Sequence, residues 1–265
     1  MQQIHKLIGL IGYPLEHSFS ERYFNQKFRR LNWDFIEYKN FPLEEIEDLP
    51  MMLDLFPEIC AFNVTSPYKQ SVMKYLSEVD EPVRQIGAVN TVLVFREDDV
   101  WWLKGFNTDV YGFEKVIKRH LQPQDRRALI LGTGGAALAV AYVFEHLGID
   151  YAFVSRSERD WPGRVVYIYE HLTKAILDSY QIIVNATPLG MYPNVSLYPP
   201  FPYRYVNSQH LMFDLIYNPQ MTKFLEFGKE RGARTVNGLQ MLYAQADKSW
   251  EIFAQHGCFG HRLYE

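Results

Sequence analysis

The chain alternates short apolar runs with stretches in which apolar residues recur at helical spacing. Residues 6–11 and 58–64 are nearly continuous apolar runs, which predict strands buried on both faces. Between them, the apolar positions of residues 20–31 predict a helix with Ser20 as its N-cap. This alternation of strand and helix predicts an α/β fold.

The second apolar run leads into residues 63–69, where the chain turns abruptly polar. Pro67 is suited to the first position of a helix, so the pattern predicts a helix over residues 67–76. Lys69 would then lie in the first helical turn, where the helix macrodipole disfavours a cation. This unfavourable position makes Lys69 a candidate functional residue, and a solvated surface lysine is the alternative interpretation.

The alternation pauses after a helix that begins at Asn107 or Thr108, and it resumes after the polar residues 122–127. Such a polar break is typical of a domain boundary. A second series of strands and helices follows and predicts a second α/β unit. The remaining predicted elements are strands at 33–38, 100–104, 128–131, 151–155, 181–184, 211–215 and 234–236, and helices at 43–55, 82–86, 135–147, 169–179, 220–231 and 238–256.

Composition narrows the class of protein. The 265 residues are 48% hydrophobic, which is ample for one large core or two smaller ones. The net charge of -4 argues against nucleic acid or an anionic membrane as a partner, since both bind basic surfaces. The 2 cysteines have no metal-ligand spacing, and the apolar run at 7–11 is too short for a signal or membrane-spanning segment. We therefore expect a soluble cytoplasmic protein without a metal site.

A glycine-rich turn between a predicted strand and helix is the main motif of the second half. Gly132 allows the tight turn, and Gly134 lets the backbone approach a pyrophosphate. The helix N-terminus at Gly135 and Ala136 offers N–H groups to the same phosphates, and Ala137 takes the place of the third glycine of the fingerprint. The motif predicts dinucleotide binding, with a purely structural turn as the alternative.

The end of the next predicted strand selects the dinucleotide. An acidic side chain there would hold the ribose 2′-hydroxyl of NAD. This chain instead has Ser155, Arg156 and Ser157, whose hydroxyls and guanidinium suit the 2′-phosphate of NADP. Arg159 is a second cation close by, interleaved with acidic residues. We predict NADP as the cofactor, with an ordinary charged loop as the alternative.

Other polar residues also lie just beyond predicted strands. Residues 185–191 could line the cofactor or simply form a turn. Ser18 and Ser20 could both donate hydrogen bonds to one carboxylate, although Ser20 could instead only cap its helix. If Lys69 and Asp109 meet, the carboxylate orients the lysine and the two form an acid–base pair. If they do not meet, each is an ordinary surface charge.

Taken in order, these motifs resemble the shikimate dehydrogenase family, whose members interconvert 3-dehydroshikimate and shikimate. The resemblance covers nearly the whole chain, and so many motifs in the family's order are highly specific. The matching stretches are residues 12–20, 63–69, 87–91, 105–109, 132–137, 185–191, 217–222 and 237–245.

The resemblance implies a fold of two domains. Residues 1–106 and 239–265 would form an N-terminal α/β substrate domain, and residues 107–238 a C-terminal Rossmann-like domain that binds NADP. Lys69 and Asp109 would be the catalytic pair at the C3 oxygen of the substrate. The implied substrate-binding residues are Ser18, Ser20, Asn63, Thr65, Asn90, Tyr217 and Gln245. The implied cofactor contacts are Gly132, Gly134, Gly135, Ala136, Ser155, Arg156, Ser157, Arg159, Asn185, Thr187, Met191 and Gly238.

The chain departs from the family pattern in three places. Glu21 replaces the proline that often follows the second serine, and Leu15 and Glu16 precede the histidine where a glycine is common. Asp160 stands where a second basic residue of the NADP motif is usual, with the arginine one position earlier, at Arg159. The last departure bears directly on the choice between NADP and NAD.

The expected activity is the reversible, NADP-dependent reduction of 3-dehydroshikimate to shikimate by a monomer or homodimer. The alternatives are a quinate/shikimate dehydrogenase that uses NAD, a dinucleotide-sensing binding protein without turnover, and a folate-dependent methylene dehydrogenase. A sensor would not need both Lys69 and Asp109. A folate enzyme would not need the Ser18 and Ser20 pair.

Overall fold

A computed structural model describes residues 6–16, 18–98 and 100–259 of the protein. His17, which belongs to the serine motif, lies outside the described residues. The described chain combines two sheets with helices, which confirms the predicted α/β class. Among these residues, no helix is both long and apolar enough to cross a membrane.

The chain forms two compact units. One unit runs through Thr108 and resumes at Ala246, and the other comprises Asp109–Gln245. The chain passes from one unit to the other inside two helices, α4 (Thr108–Ile117) and α8 (Leu239–Gln255).

The first unit is built on a mixed sheet, which in the described residues has the strand order β2-β1-β3-β5-β6-β4. Parallel pairing joins β1 to β2 and β3, whereas β5 pairs antiparallel with β3 and β6. The strands are β1 (Lys6–Gly12), β2 (Ile36–Pro42), β3 (Ile59–Val64), β4 (Glu78–Val79), β5 (Thr91–Glu97) and β6 (Val100–Phe106). The helices that belong wholly to this unit are α1 (Phe19–Arg30), α2 (Leu49–Leu55) and α3 (Glu81–Ile86).

The apolar run in β1 is explained by burial on both faces of this sheet. Leu7 and Ile11 belong to one hydrophobic cluster, while Ile8 and Leu10 belong to another. Because successive side chains of a strand point to opposite faces, a strand between two cores must be apolar at every position. The prediction of a strand buried on both faces is confirmed.

The second unit has a parallel sheet, with the strand order β12-β11-β10-β7-β8-β9 in the described residues. After β7, the chain adds β8 and β9 on one side of the sheet. It then crosses to the other side of β7, where it adds β10, β11 and β12. Ligands of open α/β sheets bind at the carboxyl ends of the strands where this reversal occurs. The strands are β7 (Arg127–Leu131), β8 (Asp150–Ser155), β9 (Val166–Ile168), β10 (Ile182–Asn185), β11 (Leu211–Asp214) and β12 (Arg234–Val236), and the helices are α5 (Gly135–His146), α6 (Lys174–Asp178) and α7 (Lys223–Glu230).

The predicted helix over residues 67–76 is wrong. Residues 66–70 form a turn, and only Ser71–Tyr75 form a short 3₁₀ helix. The backbone of this stretch bonds to a distant part of the chain, since the Val89 N–H donates to the Lys69 carbonyl at 2.7 Å. Lys69 therefore does not lie at the N-terminus of an α-helix, and the macrodipole does not act on it.

Two other predicted helices are shorter than the pattern indicates. Within residues 43–55 the α-helix is limited to α2, which follows a 3₁₀ turn at Ile46–Asp48. Within residues 169–179 the α-helix is limited to α6, where the Thr173 hydroxyl accepts from the Ile176 N–H and starts the helix. The short strands β4 and β9 have too few residues to show a period and were not predicted.

Candidate active site

The turn that carries Lys69 is fixed by hydrogen bonds on both sides. The Thr65 N–H donates to the Ile11 carbonyl at 2.9 Å, and the Tyr68 N–H donates to the Thr65 carbonyl at 3.0 Å. The Tyr68 hydroxyl donates to the Glu44 carbonyl at 2.6 Å. These bonds hold Lys69, which is partly buried, at the carboxyl end of β3.

The same turn packs against the end of β1, which begins the serine motif. A Cβ added at Gly12 would lie 2.4 Å from Cγ2 of Thr65, so the two segments approach more closely than any larger residue allows. The Tyr13 N–H also donates to the Ser66 carbonyl at 3.2 Å. The structure therefore brings together two motifs that lie about fifty residues apart in the chain.

The N-cap of α1 is Ser18, whereas the sequence predicts Ser20. Ser18 occupies the N-cap position of α1, with extended φ and ψ of -65° and 130°, yet its side chain makes no capping bond. Ser20 lies inside the first turn of the helix, on the side of Tyr38, whose pKa it lowers against the larger upward effect of burial. The prediction of Ser20 as N-cap is therefore wrong, because the helix already begins at Phe19.

A buried polar network continues from Tyr38 into the core of the first unit. The Asn63 side chain accepts from the Tyr38 hydroxyl at 2.9 Å. Its Nδ2 donates to Thr91 Oγ1 at 3.0 Å and to Ser249 Oγ at 3.2 Å. Ser249 lies on α8 and is completely buried. Asn63 is thus held in one orientation by partners from several different elements.

Asn90 extends the network to the start of α4. Its Oδ1 accepts from the Thr108 N–H at 2.7 Å, and its Nδ2 donates to Thr108 Oγ1 at 3.0 Å. Thr108 Oγ1 also lies 3.1 Å from Ser249 Oγ. The next residue is Asp109, which is 6% exposed. Asn90 therefore fixes the backbone from which the Asp109 carboxylate projects.

Sequence reasoning missed four members of this network. Thr91 and Thr108 stand inside recognised motifs, and their position beside Asn90 and Asp109 was the available signal. Tyr38 and Ser249 lie outside all motifs, and one polar group on an otherwise apolar face gives no signal of a partner elsewhere in the chain. Only the folded chain identifies the second pair.

In the second unit, the glycine-rich turn fits a bound dinucleotide. Gly132 has a φ of 106°, which favours glycine, and a Cβ there would lie 3.2 Å from Cγ2 of Thr187. Gly134 is the N-cap of α5 and has no side chain that could cap the helix, and a Cβ added there would meet no atom within 4 Å. The first N–H groups of α5 are thereby open to a phosphate group.

The residues beyond β8 place positive charge beside that turn. The Arg159 guanidinium donates to Thr133 Oγ1 at 2.9 Å and stacks 4.8 Å from the centre of the Trp161 ring. Arg156 is exposed. Burial raises the pKa of Tyr169, and the positive charge of Arg156 partly offsets this shift. The Arg159 side chain therefore contacts the glycine-rich turn, although Arg159 is shifted by one position from the family pattern.

The loop after β10 is held by side chains within the second unit. Asn185 is completely buried, and its Oδ1 accepts from the Thr187 hydroxyl at 2.7 Å. Its Nδ2 donates to Asp214 Oδ1 at 3.0 Å, and Asp214 Oδ2 accepts from the Thr222 hydroxyl at 2.5 Å. Of the two interpretations of Asn185, this geometry favours the one in which it forms the turn. Met191, farther along the loop, is exposed.

Burial dominates the titration of Asp214. It raises the pKa of the carboxyl to about 7, although Thr222, Ile216 and Asn185 all donate to it. Between about pH 4 and about pH 7, the folded chain thus retains a proton that the unfolded chain releases. The free energy of unfolding should therefore fall as the pH rises through this range.

We expect the variant Asp214→Asn, which cannot titrate, to remove about 4 kcal/mol of that pH-dependent fall. The measurement is urea unfolding of both proteins at about pH 4 and about pH 8, and the comparison uses the change between the two pH values rather than the stability at either. Asp150→Asn, at an exposed carboxylate of β8, is the control. Equal pH dependence in Asp214→Asn and the parent would contradict the prediction.

A close backbone approach precedes α8. A Cβ at Gly238 would lie 2.1 Å from the Leu215 carbonyl oxygen, so only glycine lets this segment pass the end of β11. Tyr217 and Gln245 are both partly buried, and the Gln245 amide donates to the Leu242 carbonyl at 3.0 Å.

Among the described residues, no group of three or more histidine, cysteine, aspartate or glutamate side chains could hold a metal ion.

Comparisons with known proteins identify the family. Residues 10–92 match the family model described as the shikimate dehydrogenase substrate binding domain. A protein of Carboxydothermus hydrogenoformans named shikimate dehydrogenase (NADP(+)) is 39% identical over 261 residues, which are 93% of this chain and 90% of the relative. The chain belongs to the shikimate dehydrogenase family. This membership confirms the resemblance inferred from the motifs.

Solved structures of shikimate dehydrogenases have the same fold. The enzyme from Peptoclostridium difficile is 37% identical and superposes with a TM-score of 0.79, covering 94% of this chain and 92% of that structure. A second, from Thermus thermophilus in complex with NADP(H) and shikimate, is 27% identical with a TM-score of 0.78 and covers 94% and 93%. The predicted fold class, an α/β substrate domain with a Rossmann-like domain, is confirmed.

Proposed function

We propose that this chain is a shikimate dehydrogenase that reduces 3-dehydroshikimate reversibly to shikimate with NADP as cofactor. The observation that carries the proposal is the identity with a relative named shikimate dehydrogenase (NADP(+)) over 93% of the chain. The geometry of both units supports it, because one unit holds a lysine-bearing turn beside a serine motif. The other presents an uncapped glycine-rich turn with an arginine beside it.

We assign substrate binding to the domain that contains the mixed sheet and NADP binding to the domain that contains the parallel sheet. In this proposal, residues 1–106 and 239–265 form the substrate domain and residues 107–238 form the NADP-binding domain. The mixed sheet of the first unit carries most of the polar motifs, and the parallel sheet of the second has the strand order of dinucleotide-binding folds.

Lys69 and Asp109 are the proposed catalytic residues. In the reductive direction, Lys69 donates a proton to the developing alkoxide at C3, and Asp109 orients the lysine. The nicotinamide of bound NADPH supplies the hydride at the same carbon. The fixed turn of Lys69 and the hydrogen bonds that hold the start of α4 suit groups that must be positioned before the reaction.

The remaining polar residues bind substrate and cofactor. In the first unit, Ser18 and Ser20 hold the substrate carboxylate, and Asn63, Thr65 and Asn90 bind ring hydroxyls. Tyr217 contributes to binding of the carboxylate, and Gln245 contributes to binding of the ring hydroxyls. The proposed cofactor contacts are Gly132, Gly134, Gly135, Ala136, Ser155, Arg156, Ser157, Arg159, Thr187, Met191 and Gly238, whereas the buried Asn185 shapes the turn that precedes Met191.

We place the enzyme in the cytoplasm as a monomer or homodimer. Both of its cysteines are free thiols, which suits a reducing compartment. Its net charge of -4 does not favour a nucleic acid or an anionic membrane surface as a partner.

Initial rates test the proposal. Shikimate and quinate should each be assayed against NADP and NAD, and we expect shikimate with NADP to give the highest kcat/KM. A preference for quinate with NAD would support the rival dehydrogenase instead. Binding of NADP without turnover of any substrate would support a dinucleotide sensor.

We expect Ser18→Ala to raise the KM for shikimate about tenfold or more and to leave kcat within a few-fold of the parent value. A hydrogen bond to a charged group is worth about 1.5 to 3 kcal/mol, and this one would form in both ground state and transition state. Ser77→Ala, at an exposed serine of the same unit, is the control. An unaltered KM would remove Ser18 from the carboxylate site.

A further inference from the structure

The two cysteines of the chain lie side by side although they are far apart in sequence. Cys60 is on β3, and Cys258 follows the end of α8. Cys258 Sγ lies 3.6 Å from the Cys60 carbonyl oxygen, and Cys60 Sγ lies 3.6 Å from the Leu7 carbonyl oxygen. Each thiol also shifts the pKa of the other, because the two groups lie close together.

This pair of thiols borders a cavity of about 210 Å³ in the first unit. The polar and charged residues of its lining include Lys6, Arg96 and His256, so the cavity suits a small polar reagent. The Lys6 ammonium donates to the Gly257 carbonyl at 2.7 Å, which keeps this cation beside the thiols. A hydroperoxide is small enough to enter such a space and is attacked by thiolates.

The two thiols differ in character. The hydrogen bond from Cys258, together with the charge of Lys6, lowers the pKa of the Cys60 thiol. The same hydrogen bond and burial raise the pKa of the Cys258 thiol. Cys60 is also partly exposed, whereas Cys258 is buried. A reagent therefore reaches Cys60 first, which makes Cys60 the attacking thiol and Cys258 the resolving thiol.

We propose that Cys60 and Cys258 form an intramolecular disulfide when the protein meets a hydroperoxide. The Cys60 thiolate attacks one peroxide oxygen; an S–O bond forms, the O–O bond breaks, and hydroxide leaves to become water. Cys258 sulfur then attacks the Cys60 sulfur of the sulfenic acid; the S–S bond forms, the S–O bond breaks, and a second water leaves with the Cys258 proton. Two thiols are oxidised and one hydrogen peroxide is reduced to two waters.

The bond would join β3 to the residues that follow α8. It would close a loop between positions that are 198 residues apart. In the chain-entropy account of disulfides, the gain in stability is largest when the closed loop is long. Because α8 carries Ser249, the bond would also anchor the helix that completes the buried polar network. This inference does not depend on the proposed enzymatic activity.

The test treats the full-length protein with hydrogen peroxide and follows intact mass and free thiols in denaturant. We expect both thiols to disappear, the mass to fall by two hydrogens, the urea midpoint to rise, and dithiothreitol to reverse all three changes. A tryptic map should contain one peptide pair that joins Cys60 to Cys258.

Two variants identify the attacking thiol. Cys258→Ser should accumulate a sulfenic acid at Cys60 that dimedone traps, whereas Cys60→Ser should react far more slowly at Cys258. Oxidation of the parent to separate sulfinic acids, disulfides only between chains, or unchanged thiols would each overturn the proposal. These outcomes are read on the parent protein, so they hold even if a variant fails to fold.

Discussion

Lys69→Ala is expected to lower kcat by about two to four orders of magnitude and to leave the KM for shikimate within a few-fold of the parent value. In the proposed reaction the ammonium group is needed most in the transition state, where the C3 oxygen gains charge. Loss of such a group lowers turnover more than it weakens substrate binding.

The structure supplies a matched control for this variant. Lys74 lies only five residues further along, in the 3₁₀ helix at Ser71–Tyr75, and its ammonium pairs with Glu47 at the surface. Lys74→Ala should keep the parent kcat, because an exposed ion pair contributes little even to stability. The measurement is steady-state kinetics in both directions, with circular dichroism to show that each variant is folded.

Asp109→Asn tests the second member of the proposed pair. If the carboxylate orients Lys69, the amide should lower kcat strongly while the charge of Lys69 remains. Unchanged turnover in Lys69→Ala would refute the assigned role of the lysine. Unchanged turnover in Asp109→Asn alone would restrict the chemistry to Lys69.

Arg156→Ala is expected to raise the KM for NADPH about 10-fold to 100-fold and to leave the KM for NADH nearly unchanged. The two cofactors differ by the 2′-phosphate, and a hydrogen-bonded contact to a charged group is worth about 1.5 to 3 kcal/mol. Arg156 is exposed beyond the end of β8, where it can meet that phosphate.

Arg159→Ala separates the two arginines. Arg159 bonds Thr133 inside the glycine-rich turn, so its loss should disturb the pyrophosphate site and weaken NADPH and NADH together. Arg204→Ala, at an exposed arginine of the same unit, is the control. Equal losses for NADPH and NADH in Arg156→Ala would show that this residue does not read the 2′-phosphate.

Much of the fold follows from short-range patterns. The uninterrupted apolar run of β1 predicts a strand between two cores, because every side chain of a buried central strand meets apolar neighbours. The glycines at 132 and 134 predict a tight turn between a strand and a helix, since their backbone requirements are local. The order of the motifs along the chain also indicates the family.

Candidate site residues could be named from motifs, but their partners could not. Asn63 bonds to Ser249, which is 186 residues away, and no periodicity links the two positions. Ser18 rather than Ser20 occupies the N-cap position of α1, because the helix begins at Phe19. Arg159 departs from the expected spacing and still reaches Thr133, which only the path of the loop after β8 reveals.

The stretch that carries Lys69 shows most clearly what the sequence determines and what only the tertiary structure decides. Its sequence by itself determines a strand, an abrupt polar change and a lysine five residues beyond the last strand position, since these depend on neighbouring side chains. Only the tertiary structure decides that residues 66–70 form a turn and not a helix. The backbone of Lys69 accepts from Val89, and the Tyr68 side chain reaches the Glu44 carbonyl. Such long-range bonds outweigh the local helix signal of Pro67, because they satisfy the backbone groups that a helix would otherwise pair.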